Sequence, residues 1–234
     1  MPRHPGADDR VVATQRVVAG GGPAATAAVT IARLGVRTRF VGVVDGELPG
    51  VDVVRMPGRV VESIVLVSGS ARTIVTEEPE RFAAPPEALA HAEWVHVDHV
   101  GWRAIGPRAD VLLSVDGGDP IEGLDLEHVA LYAPPEAADD GRRARLTVVT
   151  RGAAGCSAFA EGGTIDVPAH PVDVVSTLGA GDVFHGALLA CLVRGLGLRD
   201  ALVRANVCAA LSCRALDGRS AIPTRDELER TVRG

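Results

Sequence analysis

The chain has 234 residues, a formal net charge of −6 and 24 basic residues, every one of which is arginine. The absence of lysine excludes chemistries that need its amine: the P-loop, the strand lysine of protein kinases, and the imine of pyridoxal-phosphate enzymes and Schiff-base aldolases. No basic run exceeds Arg142-Arg143-Ala144-Arg145, which argues against a nucleic-acid partner, since backbone binding needs a basic face.

Hydrophobic residues make up 47% of the chain but aromatic ones only 3%, so Ala, Val and Leu must fill the core. The length fits one domain spanning 1–234. Val11 to Val18 has strand composition and leads into Gly20-Gly21-Gly22. From Pro23 a helix is predicted, with proline in its first turn and Gly35 placed to end it. Arg39 to Val44 reads as a buried strand. Val60 to Ser68 and Arg72 to Thr76 read as a hairpin across Ser-Gly-Ser-Ala. Pro85 to His91 looks helical. Trp94 to Asp98, Val111 to Val115, Val129 to Tyr132 and Leu146 to Thr150 are short apolar strands, and Cys156 to Ala160 with Thr164 to Val167 form a second hairpin. Val172 to Gly195 combines a strand-like start, a glycine-rich turn and an apolar helix that must be buried. Leu198 to Ala215 is another helix, and Thr224-x-x-Glu227 has the spacing of a capping box opening the last one. Strands alternating with helical connections predict a parallel, doubly wound α/β sheet. The connections at 101–110 and 134–144 are short for crossovers.

The four cysteines form no CxxC pair, and three of them, in apolar helix-like stretches, read as small hydrophobes in a reduced, cytoplasmic setting. No apolar leader is visible, and no run approaches the roughly 18 apolar residues of a membrane span, so no membrane partner is expected.

Thr177-Leu178-Gly179-Ala180-Gly181-Asp182 precedes the long apolar helix. Two glycines one residue apart let the backbone turn sharply and present bare N–H groups at a helix N-terminus, a cradle for phosphate that needs no lysine. Asp182 stands where a carboxylate could take a proton from an attacking hydroxyl. Read without context, the same residues are also a tight turn with an aspartate near the helix cap.

The context is wider than that turn. The stretch from Asp173 through Gly186 resembles the C-terminal signature of the ribokinase/PfkB carbohydrate kinases. Gly21-Gly22-Pro23-Ala24-Ala25-Thr26 with ARLG downstream resembles the family's diglycine motif, and FVGVVDGELPG the segment after it. LTVVTRGAAGC resembles its nucleotide-contacting strand and turn, and 216–223 the loop flanking adenine. The resemblance implies a ribokinase-like α/β fold, mostly parallel and flanked by helices, with a small β-lid from about 10–19 and 60–76. It implies Asp182 as catalytic base and the amides of Gly179, Ala180 and Gly181 as an anion hole. It implies Gly21, Gly22 and Thr26 against the sugar; Thr150, Gly152, Asn206 and Gly218 near the nucleotide; and Mg²⁺ on ATP reached by Glu136 through water. The implied activity is ATP-dependent phosphorylation of a hydroxymethyl group on a sugar by a homodimer joined through its lids. A weakly active sugar- or nucleotide-binding homologue and a nucleoside kinase are the alternatives.

Some positions depart from the family. Thr26 stands for the Asn after the diglycine, and Ala133 for the Asn of the Asn-x-x-Glu motif that ends at Glu136. Only about twenty residues precede the diglycine, and the spacing after Pro49 and around Ala138 is short, as in a trimmed homologue or a sequence lacking segments. His96, Asp98 and His99 at one strand end read as satisfied polar groups or substrate contacts before they read as a metal site. Asp116 and Asp119 close another strand at an edge where α/β proteins bind ligands, and His185 reads as a hydrogen-bonded core or near-site residue.

Overall fold

The computed structural model describes residues 3–68, 71–106 and 108–234. Up to Gly22 the described chain forms neither helix nor strand, so the lid strand expected at about 10–19 is absent. Its valines have strand composition but no ladder to join: Val12 and Val18 are 74% and 84% exposed. Propensity without a pairing edge or a buried face does not make a strand.

Helix α1 (Pro23–Arg33) starts at Gly22, whose φ is +88°, and is followed by Gly35 at φ +86°. Strands β1 (Arg39–Gly42) and β2 (Asp52–Arg55) pair in parallel as a separate ribbon, half-buried where a buried strand was expected. Strands β3 (Ile64–Ser68) and β4 (Ala71–Val75) form the expected antiparallel hairpin, a small two-stranded sheet of its own. Its turn positions 69 and 70 lie outside the described residues. Pro86–Leu89 is a single 3₁₀ turn, shorter than the helix expected there.

The central sheet has six strands: β5 (Trp94–Val97), β6 (Leu112–Asp116), β7 (Val129–Ala133), β8 (Leu146–Thr150), β9 (Cys156–Ala160) and β10 (Gly163–Val167). They lie in the order β10-β9-β8-β7-β6-β5, parallel from β5 to β8 and antiparallel beyond. Helices flank this mixed sheet. Helix α2 (His99–Ile105) fills the connection read as too short; the missed signal is Asp98, whose side chain caps it by accepting from the Val100 and Gly101 amides. The 134–145 connection carries only the 3₁₀ turn Glu136–Ala138, and 117–128 has no helix.

Helices α3 (Ala180–Val193), α4 (Leu198–Ser212) and α5 (Arg225–Arg233) complete the chain. The strand-like residues before α3 stay irregular, with Val174 and Val175 half exposed. Every residue from Val183 to Cys191 is buried, because α3 packs between α1 and α4 and against the sheet. Gly186 makes the α1 contact possible: a Cβ there would lie 2.6 Å from the Ala27 carbonyl oxygen. Since Gly186 lies within the first two turns of α3 and Ala27 within the first two of α1, both helices present their N-termini at the same end. Thr224 caps α5 by accepting from Glu227 N, as its spacing predicts. No helix among the described residues is long and apolar enough to cross a membrane.

Candidate active site

The C-terminal ends of β5, β6 and β8 and the N-termini of α1 and α3 line one cleft of about 2900 Å³. Gly179, the residue before α3, has φ +75°, and a Cβ on it would fall 2.9 Å from Gly218 Cα. Both the left-handed backbone and the close loop demand glycine. The Ala180 amide is spent on the Thr177 carbonyl at 3.3 Å, so the cradle has fewer open donors than the sequence implied. The amides of Gly179 and Gly181 carry no such bond, and Gly181 is exposed to the cleft.

Asp182 sits half-buried in the first turn of α3. Burial, then the like charges of Asp116 and Asp98, push its pKa up to about 7; His185 and Arg219 pull the other way. Asp98 is buried and joins two helices, since its second oxygen accepts from the Ala24 amide at 3.3 Å at the start of α1. Asp116 is buried at the end of β6. It accepts from Gly118 N at 2.7 Å and lies 2.9 Å from His185 Nδ1. Burial alone would raise the Asp116 pKa, but the adjacent His185 outweighs it and the group stays ionised. The reverse holds for His185, which burial would neutralise and Asp116 keeps basic. His96, beside them, is lowered to about 4 by burial and then by His185. His99 pairs instead with Asp119 at 3.3 Å, outside this group.

Two arginines complete the cleft. Arg219 Nε donates to Thr26 Oγ1 at 3.1 Å, and its guanidinium also donates to the Gly21 carbonyl. Arg72, on the β3–β4 hairpin, donates to Thr177 Oγ1 at 2.9 Å, tying hairpin to glycine-rich turn.

Similarity to known proteins agrees with this geometry. Residues 127–225 match the model of the pfkB family of carbohydrate kinases. A ribokinase-type protein of Agrobacterium tumefaciens superposes with a TM-score of 0.80 at 26% identity, covering 99% of this chain and 92% of that one. The chain is similar over nearly its whole length to PfkB/ribokinase-like carbohydrate kinases, which are ATP-dependent phosphotransferases. Ribokinase of Bacillus subtilis is 25% identical over 270 aligned positions, which cover 97% of this chain and 92% of that protein. That alignment is longer than this chain, so internal stretches of the ribokinase have no counterpart here, consistent with the helix-free connection at 117–128. The 2-dehydro-3-deoxygalactonokinase of Haloferax volcanii is 36% identical over 128 residues, 55% of this chain and 39% of that one.

Of the residues the PfkB resemblance named, Gly21, Gly22, Thr26, Thr150, Gly179, Gly181, Asp182 and Gly218 line the cleft. Others do not. Asn206 is buried behind β10, its amide donating to the carbonyls of Val167 and Pro168 at 3.3 and 3.1 Å. Glu136 is exposed on its 3₁₀ turn away from the cleft, and Gly152 likewise lies off the lining. Thr26 is buried with its hydroxyl already accepting from Arg219. Sequence reasoning missed Arg219. Its only signal is its place after Asp217-Gly218, where Asp217 accepts from the Arg219 and Ser220 amides and shapes the loop.

Proposed function

We propose that this chain phosphorylates a hydroxymethyl group of a sugar or sugar-like acceptor at the expense of ATP, with Asp182 as general base. The observation that carries the reading is the Asp182 carboxylate. It is poised near neutrality by burial and like charge in the first turn of a helix whose preceding glycines leave open amides. A base of that pKa takes a proton at working pH yet is ionised often enough to do so.

The lysine-free cradle fits a phosphate-bearing nucleotide. The Gly179 and Gly181 amides, backed by the α3 dipole, would donate to the oxygen on which negative charge grows. ATP with Mg²⁺ would supply the phosphoryl group and neutralise its charge when bound. The chain's own residues do the rest. Asp182 holds the acceptor hydroxyl and receives its proton. Gly21 and Gly22, without side chains, let the acceptor approach, while Arg219 fixes that loop through Gly21 and Thr26. Thr150 and Gly218 flank the nucleotide end of the cleft. The buried Asn206 and exposed Glu136 are assigned no direct contact.

Solved relatives support the pairing of ligands: a ribokinase of Arabidopsis thaliana was crystallised with ribose and ATP, at a TM-score of 0.77 and 18% identity. The aminoimidazole riboside kinase of Salmonella enterica was crystallised with its riboside and an ATP analogue. A sugar is preferred over a nucleoside because few rings are available to stack a base. The weakly active alternative draws on Thr26, whose hydroxyl is engaged by Arg219. A homodimer through the β3–β4 hairpins would cover Ile64 and Val75, which are 65% and 58% exposed; a monomer by light scattering rejects it. The decisive assay is ADP formation from Mg-ATP over a panel of ketoses, aldoses, sugar acids and nucleosides. ATP-dependent thermal stabilisation without turnover on any acceptor would leave only the binding homologue.

A further inference from the structure

His96 at the end of β5, Asp116 at the end of β6 and His185 one turn into α3 bring two imidazole nitrogens and a carboxylate oxygen within 4.8 Å of one another. They come from three separate elements, so the convergence is a product of the fold. Each imidazole has its other nitrogen occupied. His96 Nδ1 is 2.9 Å from Ser114 Oγ, and the His185 ring also hydrogen-bonds the Ala133 carbonyl. What remains is His96 Nε2, buried and without a hydrogen-bond partner among the described residues, and His185 Nδ1, held in an ion-pair contact 2.9 Å from Asp116 Oδ2.

We propose that His96, Asp116 and His185 bind one divalent transition-metal ion of the Zn²⁺ class, separate from nucleotide-bound Mg²⁺, with an open coordination position toward the cleft. With His96 donating from Nδ1 to Ser114, its Nε2 offers a lone pair to the same point as His185 Nδ1 and Asp116. A proton on His185 satisfies its contact with Asp116 and leaves His96 Nε2 orphaned in a buried site, which is costly. A metal ion satisfies all three. Two imidazoles and one carboxylate suit Zn²⁺, whereas Mg²⁺ prefers oxygen ligands and retained water. Occupation of each remote ring nitrogen by a hydroxyl or carbonyl is how metal-binding histidines are oriented. The charge also fits. Asp98 and Asp182 interact electrostatically with these residues and would offset the ion's second positive charge, with Arg219 the opposing cation. All three residues line the cleft that Asp182 lines, so a fourth ligand, water or an acceptor oxygen, can reach the ion.

Binding is testable without any kinase activity, so failure of one reading does not entail failure of the other. The full chain, stripped with a chelator, is titrated with Zn²⁺ by calorimetry and with Co²⁺ by visible absorption, without nucleotide. One ion per chain, Co²⁺ bands of a four- or five-coordinate site, and no competition from excess Mg²⁺ are expected. Ser114→Ala should weaken binding about 10–100-fold, and His96→Gln and His185→Asn at least as much. Absence of stoichiometric binding overturns the proposal. So does unchanged affinity in His96→Gln, which would place the ion elsewhere. If His185→Asn loses the folded circular-dichroism spectrum, His96→Gln and Ser114→Ala decide.

Discussion

The wall of the cleft that carries Asp182 and the hairpin that reaches it through Arg72 are held in place by different physics. On the wall, α3 is buried from Val183 to Cys191 and wedged between α1 and α4, and Gly179 and Gly186 are fixed by contacts no side chain could enter. The β3–β4 hairpin is a two-stranded sheet with exposed apolar residues, and such a sheet is marginal alone. One region is fixed by close packing on several sides, and the other is held by few contacts. Chemistry is therefore expected to fail sharply when the wall is altered and only slightly when the hairpin is.

The largest effect expected is that of Asp182→Asn. Loss of the general base should lower kcat by about 10²–10⁴-fold, with the KM for ATP little changed, in a steady-state ADP-release assay. Turnover that survives this change would move the base elsewhere and remove the contrast between the two regions. Next comes packing. Gly186→Ala places a methyl 2.6 Å from the Ala27 carbonyl and 2.8 Å from Thr30 Cβ. Urea denaturation should show a loss of about 1–3 kcal/mol, accompanied by reduced turnover as the starts of α1 and α3 part.

The third expectation concerns protons. Asp182 must be ionised to act, so in the protein stripped of any ion at Asp116 kcat/KM should rise with pH along a limb centred near the value of about 7 that burial and Asp116 impose. Asp98→Asn keeps an oxygen to cap α2 but removes one like charge, so the limb should move to lower pH. Stability carries the same signature. An aspartate ionises near 3.8 when unconstrained, and Asp182 near 7 when folded. Folding thus favours its protonated form, and stability is lost as pH rises from about 4 to about 7. Asp182→Asn has nothing to ionise and should melt above the wild type at pH 8, the gap closing near pH 4. Equal melting temperatures at pH 8 would show that the wall imposes no electrostatic strain on its base.

Legibility in the sequence divides along the same line. The glycine-rich turn, the diglycine and the buried helix were readable because their constraints are local: a left-handed glycine before a helix, a proline in the first turn, a run with no polar face. The fold class followed from strands alternating with helices. The strand at Val11 to Val18 was misread because β-branched composition says nothing of whether a neighbouring edge exists. Helix α2 was missed because its cap, Asp98, looked like the polar end of a strand, and it is both. Arg219 could not be found, since its partners Gly21 and Thr26 are nearly two hundred residues away. Asn206 shows the converse error: a residue in a familiar place whose amide is spent inside the core.

The smallest effect tests the hairpin. Arg72 is joined to Thr177 by one hydrogen bond between exposed side chains at 2.9 Å. An exposed charged contact is worth about 0.2–1 kcal/mol, so Arg72→Ala should shift the hairpin toward open states by about 1.5- to 5-fold. Because Asp182 and the glycine turn stay where α3 holds them, the loss should fall on the KM for the acceptor and leave kcat within about twofold. A large fall in kcat would mean that Thr177, and through it the cradle at Gly179, depends on Arg72. The turn would then be set by the hairpin as well as by the helix behind it.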